Sequence, residues 1–404
     1  MLVPLPFKPD IILGQSLEAA RLTLYKCFLL QTGGALPSGL TRSKIDVQVV
    51  LFGAYFNKPE DIKFDKVEIR FTHLNEWAGV SGFDIKSHEL TTTLTYKLPT
   101  KVSTVVDDLR VSLDFSEEEK FDFPNNASIE QHTFIRLETP QNLSFDRIDA
   151  LLYHLQNFIS LAFDEVTWPE RITGYSEEFA TVFQGKTIHE PIRIVFASIL
   201  GKLSNPRPPS MLFGFRDIRE RFDVVMRNWF AKSDMLEPIF LGYFAPLRFP
   251  EMYLEQKFLG YAQVIEAYHR RVLDGVGIPK EDYARILPKI IKCVPPEHHE
   301  WFSEKLAYNE PSQRSRLKEL TAKFPWMDFG DKGFIEKVVV TRNYLTHYDK
   351  NLKDRAASRD ELQKLALKLE LLIKMVLLLE LGFEQQQIET MIKRTNAYAA
   401  VFQF

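Results

Sequence analysis

The chain of 404 residues contains very little cysteine, with only Cys27 and Cys293, which lie far apart in the sequence. Secreted domains that depend on disulfides are cysteine-rich, so this usage argues against a disulfide scaffold and is typical of a reducing compartment. Residues 1–14 also lack a basic segment followed by a long apolar stretch, and we therefore expect no secretory signal. We expect a cytoplasmic protein.

The sequence lacks long apolar runs as well. Its most hydrophobic stretch, residues 369–381, is interrupted by Glu370, Lys374 and Glu380, which makes it too short and too charged to span a bilayer. The formal net charge is only −3, which argues against a protein that coats nucleic acid but allows a local binding site. We therefore expect no membrane partner.

Several motifs with known chemistry are missing. The sequence has no phosphate loop of the Gly-x-x-x-x-Gly-Lys-Ser/Thr type, no Cys-x-x-Cys pair and no Gly-x-Ser-x-Gly elbow. These absences disfavour nucleotide-driven motors, zinc ribbons and α/β-hydrolases. His298 and His299 follow Cys293, but no second Cys or His pair stands nearby at ligand spacing, so an exposed loop is favoured over a metal site. We expect neither a metal nor a cofactor.

The first part of the chain has the patterns of strands followed by helices. Alternating or β-branched segments separated by turn-rich intervals predict antiparallel strands. These segments are residues 45–50, 66–71, 91–96, 111–115 and 132–137. Ser144 is a good N-cap for an amphipathic helix that reaches about residue 163. A strand over 192–196, a breaker loop over 205–209 and a helix over about 215–230 complete this part.

Beyond Pro246 and Pro250 the pattern is helical to the end of the chain. Apolar residues spaced alternately by four and three predict a long helix over 254–272, and further helices are expected over 312–324 and 332–348. Ser358 and Glu361 have capping-box spacing and begin a last long helix that ends near Gly382. The sequence therefore predicts an α+β protein, with a β-rich domain and helical annex over 1–250 and an all-α bundle over 251–404.

The predicted helix over 332–348 carries Arg342, Asn343 and His347 in an otherwise apolar segment. At about 100° per residue, Asn343, His347 and Glu336 form a narrow polar stripe, whereas Arg342 points into the stripe of Ile335, Val338 and Leu345. Histidine is suited to move protons near neutral pH, and arginine is well shaped to bind phosphate. Together they indicate chemistry on a phosphodiester. The spacing alone also allows an arginine that snorkels to the end of a buried helix, beside a hydrogen-bonded surface histidine.

In this helical setting the motif Arg342-Asn343-(three residues)-His347 resembles that of the HEPN superfamily, whose ribonucleases carry Arg-polar-(three residues)-His. Residues 74–77 (Leu-Asn-Glu-Trp) and 79–83 in the β-rich part, together with the domain order, resemble the ApeA-type abortive-infection proteins. The resemblance implies a metal-independent endoribonuclease that acts as a homodimer in antiphage defence. RNA, with tRNA as a candidate, would be its substrate, and a phage-derived trigger would act through residues 1–250.

For the site, the resemblance implies that the 2′-hydroxyl of RNA attacks the adjacent phosphate, leaving a 2′,3′-cyclic phosphate and a 5′-hydroxyl. His347 would be the general base or acid, Arg342 would stabilise charge on the phosphate, and Asn343 would orient the imidazole or bind the phosphate. On an ideal helix Arg342 and His347 lie about 140° apart, so a partner helix could complete the site. The apolar neighbours that could form a dimer seam are Val338, Val339, Tyr344 and Tyr348.

Secondary candidates lie on the helix over 254–272, largely off its apolar face. They are Glu266, His269, Arg270 and Arg271, which could line a cleft or bind the RNA backbone, although a solvated helix face is the more common explanation. Trp77 and Trp168 could stack bases, but aromatic residues in β-rich domains are more often core. The alternative to an enzyme is a ligand-sensing protein in which the bundle is a non-catalytic HEPN binding or dimerisation module.

Overall fold

The computed structural model describes residues 10–35, 41–122, 124–196, 211–273, 276–329 and 331–402. The chain divides into two compact units, residues 1–230 and 231–404. A β-rich unit is thus followed by a helical one, which confirms the predicted α+β fold class. The predicted breaker loop over 205–209 lies outside the described residues.

The first unit is built on a nine-stranded sheet with the order β1-β2-β3-β13-β10-β4-β9-β8-β7, in which every neighbouring pair is antiparallel. Its strands are β1 (Ile11–Gln15), β2 (Arg21–Ala35), β3 (Thr41–Phe52), β4 (Lys63–Phe71), β7 (Val102–Val106), β8 (Leu109–Asp122), β9 (Asn126–Ser144), β10 (Pro169–Tyr175) and β13 (Ile192–Phe196). Two separate hairpins are β5 (Phe83–His88) with β6 (Thr91–Tyr96), and β11 (Ala180–Phe183) with β12 (Lys186–His189).

The central strands follow the period of two that a half-buried sheet requires. On β4, Val67 and Ile69 are fully buried, while Glu68 and Arg70 on the opposite face are only half-buried. Helix α2 (Phe145–Phe163) contacts β4 and β9. It begins as predicted, because the Ser144 hydroxyl accepts a hydrogen bond from the backbone N–H of Arg147 at 3.4 Å.

The remaining helices of this unit are short. Residues 74–77 form most of α1 (Leu74–Ala78), and α3 (Phe215–Ile218) and α4 (Phe222–Ala231) follow the sheet. The Trp77 ring is 2% exposed, and its centroid lies 6.0 Å from that of Phe158 and 5.8 Å from that of Phe215. Trp77 is therefore a core residue, as expected for an aromatic residue in a β-rich domain.

The second unit is a helical bundle centred on α6 (Leu254–Val272), which packs against α5, α9, α10 and α11. Its other helices are α5 (Ser233–Arg248), α7 (Lys280–Lys292), α8 (His299–Lys305), α9 (Gln313–Ala322), α10 (Asp331–His347), α11 (Arg359–Leu381), α12 (Gln385–Lys393) and α13 (Asn396–Phe402). The capping box of Ser358 and Glu361 and the left-handed C-cap at Gly382 lie where the sequence predicts them.

Helix α11 buries charges as well as apolar side chains. Lys374 is fully buried and donates to Glu370 at 2.8 Å, and Glu370 also accepts from the Tyr261 hydroxyl at 3.3 Å. Although burial raises the pKa of Glu370, the cations Lys374 and Lys257 outweigh it and hold that pKa below its usual value. Within the described residues, no helix combines the length and apolar character needed to cross a membrane.

In the structure the division between the two units falls after residue 230. The sequence-based prediction, which relies on Pro246 and Pro250, places it after residue 250. Pro246 lies inside α5, near its C-terminal end, so it does not end the helix. The α5 helix packs against α6 through buried residues such as Phe240 and Tyr243, and this packing compensates for the interrupted backbone hydrogen bonding. The α5 helix therefore belongs to the bundle.

Candidate functional site

Helix α10 presents one face to the interior of the bundle and another to solvent. Phe334, Val338 and Thr341 are at most 5% exposed and lie at spacings of four and three. The Thr341 hydroxyl accepts from the backbone N–H of Ala357 at 2.9 Å, which satisfies its buried oxygen. The inward stripe therefore runs through Thr341.

Arg342 lies at the edge of this stripe, one helical turn after Val338. Its side chain keeps 35% of its surface exposed, so it is half-buried at the edge of the apolar face and not enclosed within it. The physical reason is that a guanidinium is costly to bury without a partner, whereas a threonine hydroxyl is satisfied by one hydrogen bond. Arg342 reaches Asn343 instead, donating to its side-chain oxygen at 3.3 Å.

Arg342 has an ion-pair partner on the neighbouring helix α6, which is Glu266. The guanidinium and carboxylate lie 3.9 Å apart, the outer limit of an ion pair. Glu266 also accepts from Arg270 at 3.2 Å, and Arg270 forms a second ion pair with Glu310. One carboxylate is thus shared between two arginines, which leaves Arg342 only partly neutralised.

Two adjoining grooves meet at this pair, because Arg342 and Glu266 line both. One groove of about 550 Å³ runs between α6 and α10, and the other, of about 360 Å³, runs between α9 and α10. The further residues of the first groove are Leu259, Gln263, Ala267, Arg270 and Thr346. Those of the second are Ser312, Gln313, Arg314, Val339 and Asn343. Arg342, Asn343, Glu266 and Arg270 are therefore brought together.

His347 is placed differently. It lies in the last turn of α10 and is exposed, and it lines neither groove. Among the described residues it has no hydrogen-bond or ion-pair partner. In a single chain, then, the imidazole is exposed to solvent and is not joined to Arg342 in one groove.

Two of the secondary candidates hold the bundle together. His269 is 1% exposed, with Nε2 2.8 Å from Glu319 and Nδ1 3.1 Å from the Arg316 guanidinium. Because arginine can only donate, Nδ1 accepts and the Nε2 proton faces Glu319. Arg271 donates to the backbone carbonyls of Asp234 and Met235 at 2.9 and 3.2 Å. His269 is thus buried away from any RNA, whereas Arg271 is exposed but already binds two carbonyls.

Sequence reasoning missed Arg314 and Gln313 of α9 in the second groove. Arg314 pairs with Glu336 of α10, which also accepts from Arg355 at 3.1 Å. Arg314 is the main cause that lowers the pKa of Glu336, so Glu336 is committed to ion pairs and not to the polar stripe with His347. No local signal identifies Arg314, because its role depends on α9 packing against α10.

A third groove, of about 700 Å³, shares Arg314 with the second and is otherwise largely apolar. Its aromatic lining includes Trp326, which is half-buried, and the buried rings of Phe329 and Phe334, whose centroids lie 5.4 Å apart. The three grooves thus adjoin along α10 and combine cationic with aromatic side chains.

The predicted dimer seam is only partly available at the surface of this unit. Val338 is fully buried inside the bundle and cannot reach a partner. Val339 and Tyr344 are half-buried, and Tyr348 is 69% exposed with its ring 5.9 Å from that of Tyr344. The accessible apolar surface therefore lies beside Arg342 and His347.

Among the residues that the structure describes, one group of side chains could hold a metal ion, and it lies in the first unit. Glu118, Glu130 and His132 bring ligand atoms within 4.8 Å of one another. Glu118 and Glu130 are directly opposed on β8 and β9, and His132 approaches each carboxylate at 3.5 Å. Exposed acidic groups on neighbouring strands are common without a bound ion. His298 ends a 3-10 turn and His299 begins α8.

Comparison with known protein families agrees with this architecture. The ApeA N-terminal domain 1 family matches residues 3–229, more than half of the chain, and the Apea-like HEPN family matches residues 259–387. The first match ends beside the division between the two units. No curated protein and no solved structure matches the chain.

The second match covers most of the helical unit, including the motif helix α10. The two matches together define an abortive-infection type of protein with a HEPN domain, a class of domain that commonly cleaves RNA. The chain belongs to the ApeA family.

Proposed function

We propose that the helical unit is a metal-independent endoribonuclease that cleaves RNA in the cytoplasm during antiphage abortive infection. The observation that carries the proposal is the half-exposed, partly neutralised Arg342 between two grooves on a HEPN-family helix. A guanidinium in this state can exchange a weak carboxylate contact for a phosphate, to which its planar fork donates two hydrogen bonds.

The reaction is a transfer of the phosphate within the RNA chain. The 2′-hydroxyl loses its proton to a neutral imidazole and forms a bond to phosphorus, and the bond from phosphorus to the 5′-oxygen breaks. The departing oxygen takes a proton from solvent, so the products are a 2′,3′-cyclic phosphate and a 5′-hydroxyl. His347 is the base, Arg342 stabilises the pentavalent phosphate, and Asn343 holds the guanidinium through its side-chain oxygen.

The complete site would form between two copies of the chain. His347 is exposed outside the grooves of its own subunit. Tyr344 and Tyr348 lie close to it on the same helix, and Val339 lies beside Arg342 in the second groove. Isologous contact between two such surfaces is the usual way in which a homodimer forms. Each site would then combine Arg342 of one subunit with His347 of the other.

The cationic and aromatic grooves along α10 support RNA as the substrate, because they can hold phosphates and stack unpaired bases. We suggest tRNA as the first RNA to test. Residues 1–250 carry 27 Lys and Arg against 32 Asp and Glu, so this part is a poor primary grip on RNA. We assign to it recognition of a phage-derived trigger and restraint of the nuclease.

A second function is favoured by one observation, the separation of His347 from both grooves. If no partner copy brings an imidazole to Arg342, the bundle is a non-catalytic module for binding or dimerisation. The two functions predict different outcomes when the protein is incubated with RNA: a nuclease yields cleaved fragments, whereas a binding module leaves the RNA intact.

The test incubates the purified protein with total RNA in EDTA and sequences the new ends. We expect fragments with a 2′,3′-cyclic phosphate and a 5′-hydroxyl, and a loss of about 10²–10⁴-fold in rate with His347→Ala. The matched control is His298→Ala, an exposed histidine on a 3-10 turn. Full activity of a folded His347→Ala protein would refute the mechanism, and intact RNA with the wild-type protein would favour the binding module.

A further inference from the structure

A polar cavity of about 230 Å³ lies in the first unit, on the sheet face opposite α2. It is lined from four strands, β4, β8, β9 and β10, and its rim includes Pro191. The polar side chains that line it are Glu68, Arg70, Ser116, His132, Arg171, Thr173 and Tyr175. This cavity is far in sequence from the HEPN motif, and nothing in the proposed nuclease chemistry uses it.

The unusual feature of the cavity is a facing pair of arginines. Arg70 on β4 and Arg171 on β10 are direct partners in the antiparallel register, so both side chains leave the same face of the sheet. Within the described part of the chain, neither guanidinium has a hydrogen-bond or ion-pair partner. Like charges that directly face each other destabilise a sheet. An anion bound between the two guanidinium groups would remove this repulsion.

The nearest carboxylate cannot supply that anion, because it is already engaged. Glu68 accepts from Arg136 at 2.9 and 3.2 Å and from the Tyr175 hydroxyl at 3.0 Å, and Lys66 lies 3.5 Å away. Arg136 in turn contacts Asp114 at 2.7 Å. The two cations and two carboxylates of this network cancel. Glu118 contacts Lys120 and His132, and Glu130 contacts His132, so within the described residues no carboxylate pairs with Arg70 or Arg171.

The other walls of the cavity provide hydroxyl groups that can hydrogen-bond to a ligand. Burial, followed by the neighbouring Glu68, raises the pKa of Tyr175 to about 12, so its hydroxyl remains a donor and holds Glu68 in place. The hydroxyl of Ser116 on β8 and that of the buried Thr173 on β10 face the cavity from different strands. Donors that converge on a small volume from several strands fit a compact oxyanion.

We propose that this cavity binds the phosphate group of a small molecule, with Arg70 and Arg171 as its two cationic partners. The volume is below the range of pockets that enclose drug-sized ligands, so the phosphate and only the adjoining part of the molecule fit inside. The proposal concerns the β-rich unit alone and stands whether or not the helical unit cleaves RNA.

The test is calorimetric titration of the full-length protein with inorganic phosphate, adenosine 5′-monophosphate and succinate. All titrations use an Arg342→Ala background, so that the groove of the helical unit does not contribute. We expect one saturable site for phosphate that Arg70→Gln and Arg171→Gln each weaken at least tenfold. Tighter binding of the nucleotide than of phosphate would support the proposal and name a nucleoside phosphate, and equal binding would support phosphate itself.

The matched control is Arg110→Gln, an exposed arginine on the same face of β8, about 20 Å along the strand from Ser116. It should leave the affinity unchanged. The melting temperature without ligand separates lost binding from lost folding. If Arg70→Gln does not lower it, the weaker affinity reflects the loss of a binding residue. Absence of saturable phosphate binding, binding that survives both substitutions, or tighter binding of succinate would overturn the proposal.

Discussion

The guanidinium of Arg342 on α10 lies 3.9 Å from the carboxylate of Glu266 on α6. The distance is long because Glu266 also accepts from Arg270, which is itself paired with Glu310. An ion pair of this kind is worth only about 0.2–1 kcal/mol at a partly exposed site. Arg342 is therefore held in place between two grooves with its positive charge only partly neutralised.

The first prediction concerns this competition between Glu266 and RNA. Glu266→Gln removes the carboxylate that a phosphate must displace, so RNA affinity should rise, by at most about fivefold for a pair worth up to about 1 kcal/mol. The measurement is the Kd of labelled RNA in a His347→Ala background, which prevents cleavage. Glu300→Gln on α8, an exposed glutamate away from the grooves, removes the same charge and should change the Kd less. A weaker Kd with Glu266→Gln alone would show that Glu266 positions Arg342 for RNA instead of competing with it.

The second prediction concerns the buried pair of Glu370 and Lys374 in α11. Lys374→Met leaves a buried carboxylate with less compensation and should lower the free energy of unfolding by about 3–5 kcal/mol. The double change Glu370→Leu with Lys374→Met should recover most of that loss, as measured by urea denaturation. Lys393→Met breaks an exposed pair of the same spacing with Glu389 and should cost less than about 1 kcal/mol. Equal losses at the two lysines would contradict the role given to burial.

The third prediction concerns the extent of the helical unit. A fragment of residues 231–404 should fold, and it should cleave RNA in EDTA. A fragment of residues 251–404 lacks α5 and exposes the face of α6 that α5 covers, and it also removes the carbonyls that bind Arg271. We expect it to melt at a clearly lower temperature or to aggregate, as followed by circular dichroism. Equal melting temperatures for the two fragments would assign α5 to the β-rich part.

The fourth prediction concerns assembly. Val339→Lys places a charge on the accessible surface beside Arg342 and should shift the protein from dimer to monomer in light scattering, because an unpaired charge is costly to bury at an interface. Lysine is chosen because its positive charge does not repel RNA. Val224→Lys alters a valine that is 40% exposed on α4 and should leave the dimer intact. A wild-type protein that is a fully active monomer at assay concentration would refute the dimeric site.

Local signals in the sequence were sufficient for several of the longer helices of the chain. The N-cap at Ser144, the capping box at Ser358 and the left-handed Gly382 each depend on a few neighbouring residues, and the structure has all three. The periodic helix over 254–272 is likewise present as α6. These features are encoded within one or two helical turns.

The features that sequence reasoning missed depend on contacts between distant segments. An ideal helical wheel cannot show that Thr341 accepts a hydrogen bond from Ala357, nor that Arg342 keeps a third of its side chain exposed. Likewise, α9 brings Arg314 to the groove only by packing against α10. The pairing of Arg70 with Arg171 requires the sheet order, in which β10 lies beside β4. None of these relations has a signature within a short stretch of sequence.

The most direct measurement of the central claim uses a heterodimer with one Arg342→Ala subunit and one His347→Ala subunit, purified through two different tags. Each homodimer should be nearly inactive. If every site combines Arg342 of one subunit with His347 of the other, the heterodimer keeps one intact site of two and should cleave RNA in EDTA at about half the wild-type rate. A heterodimer no more active than the two homodimers would contradict a site shared between subunits.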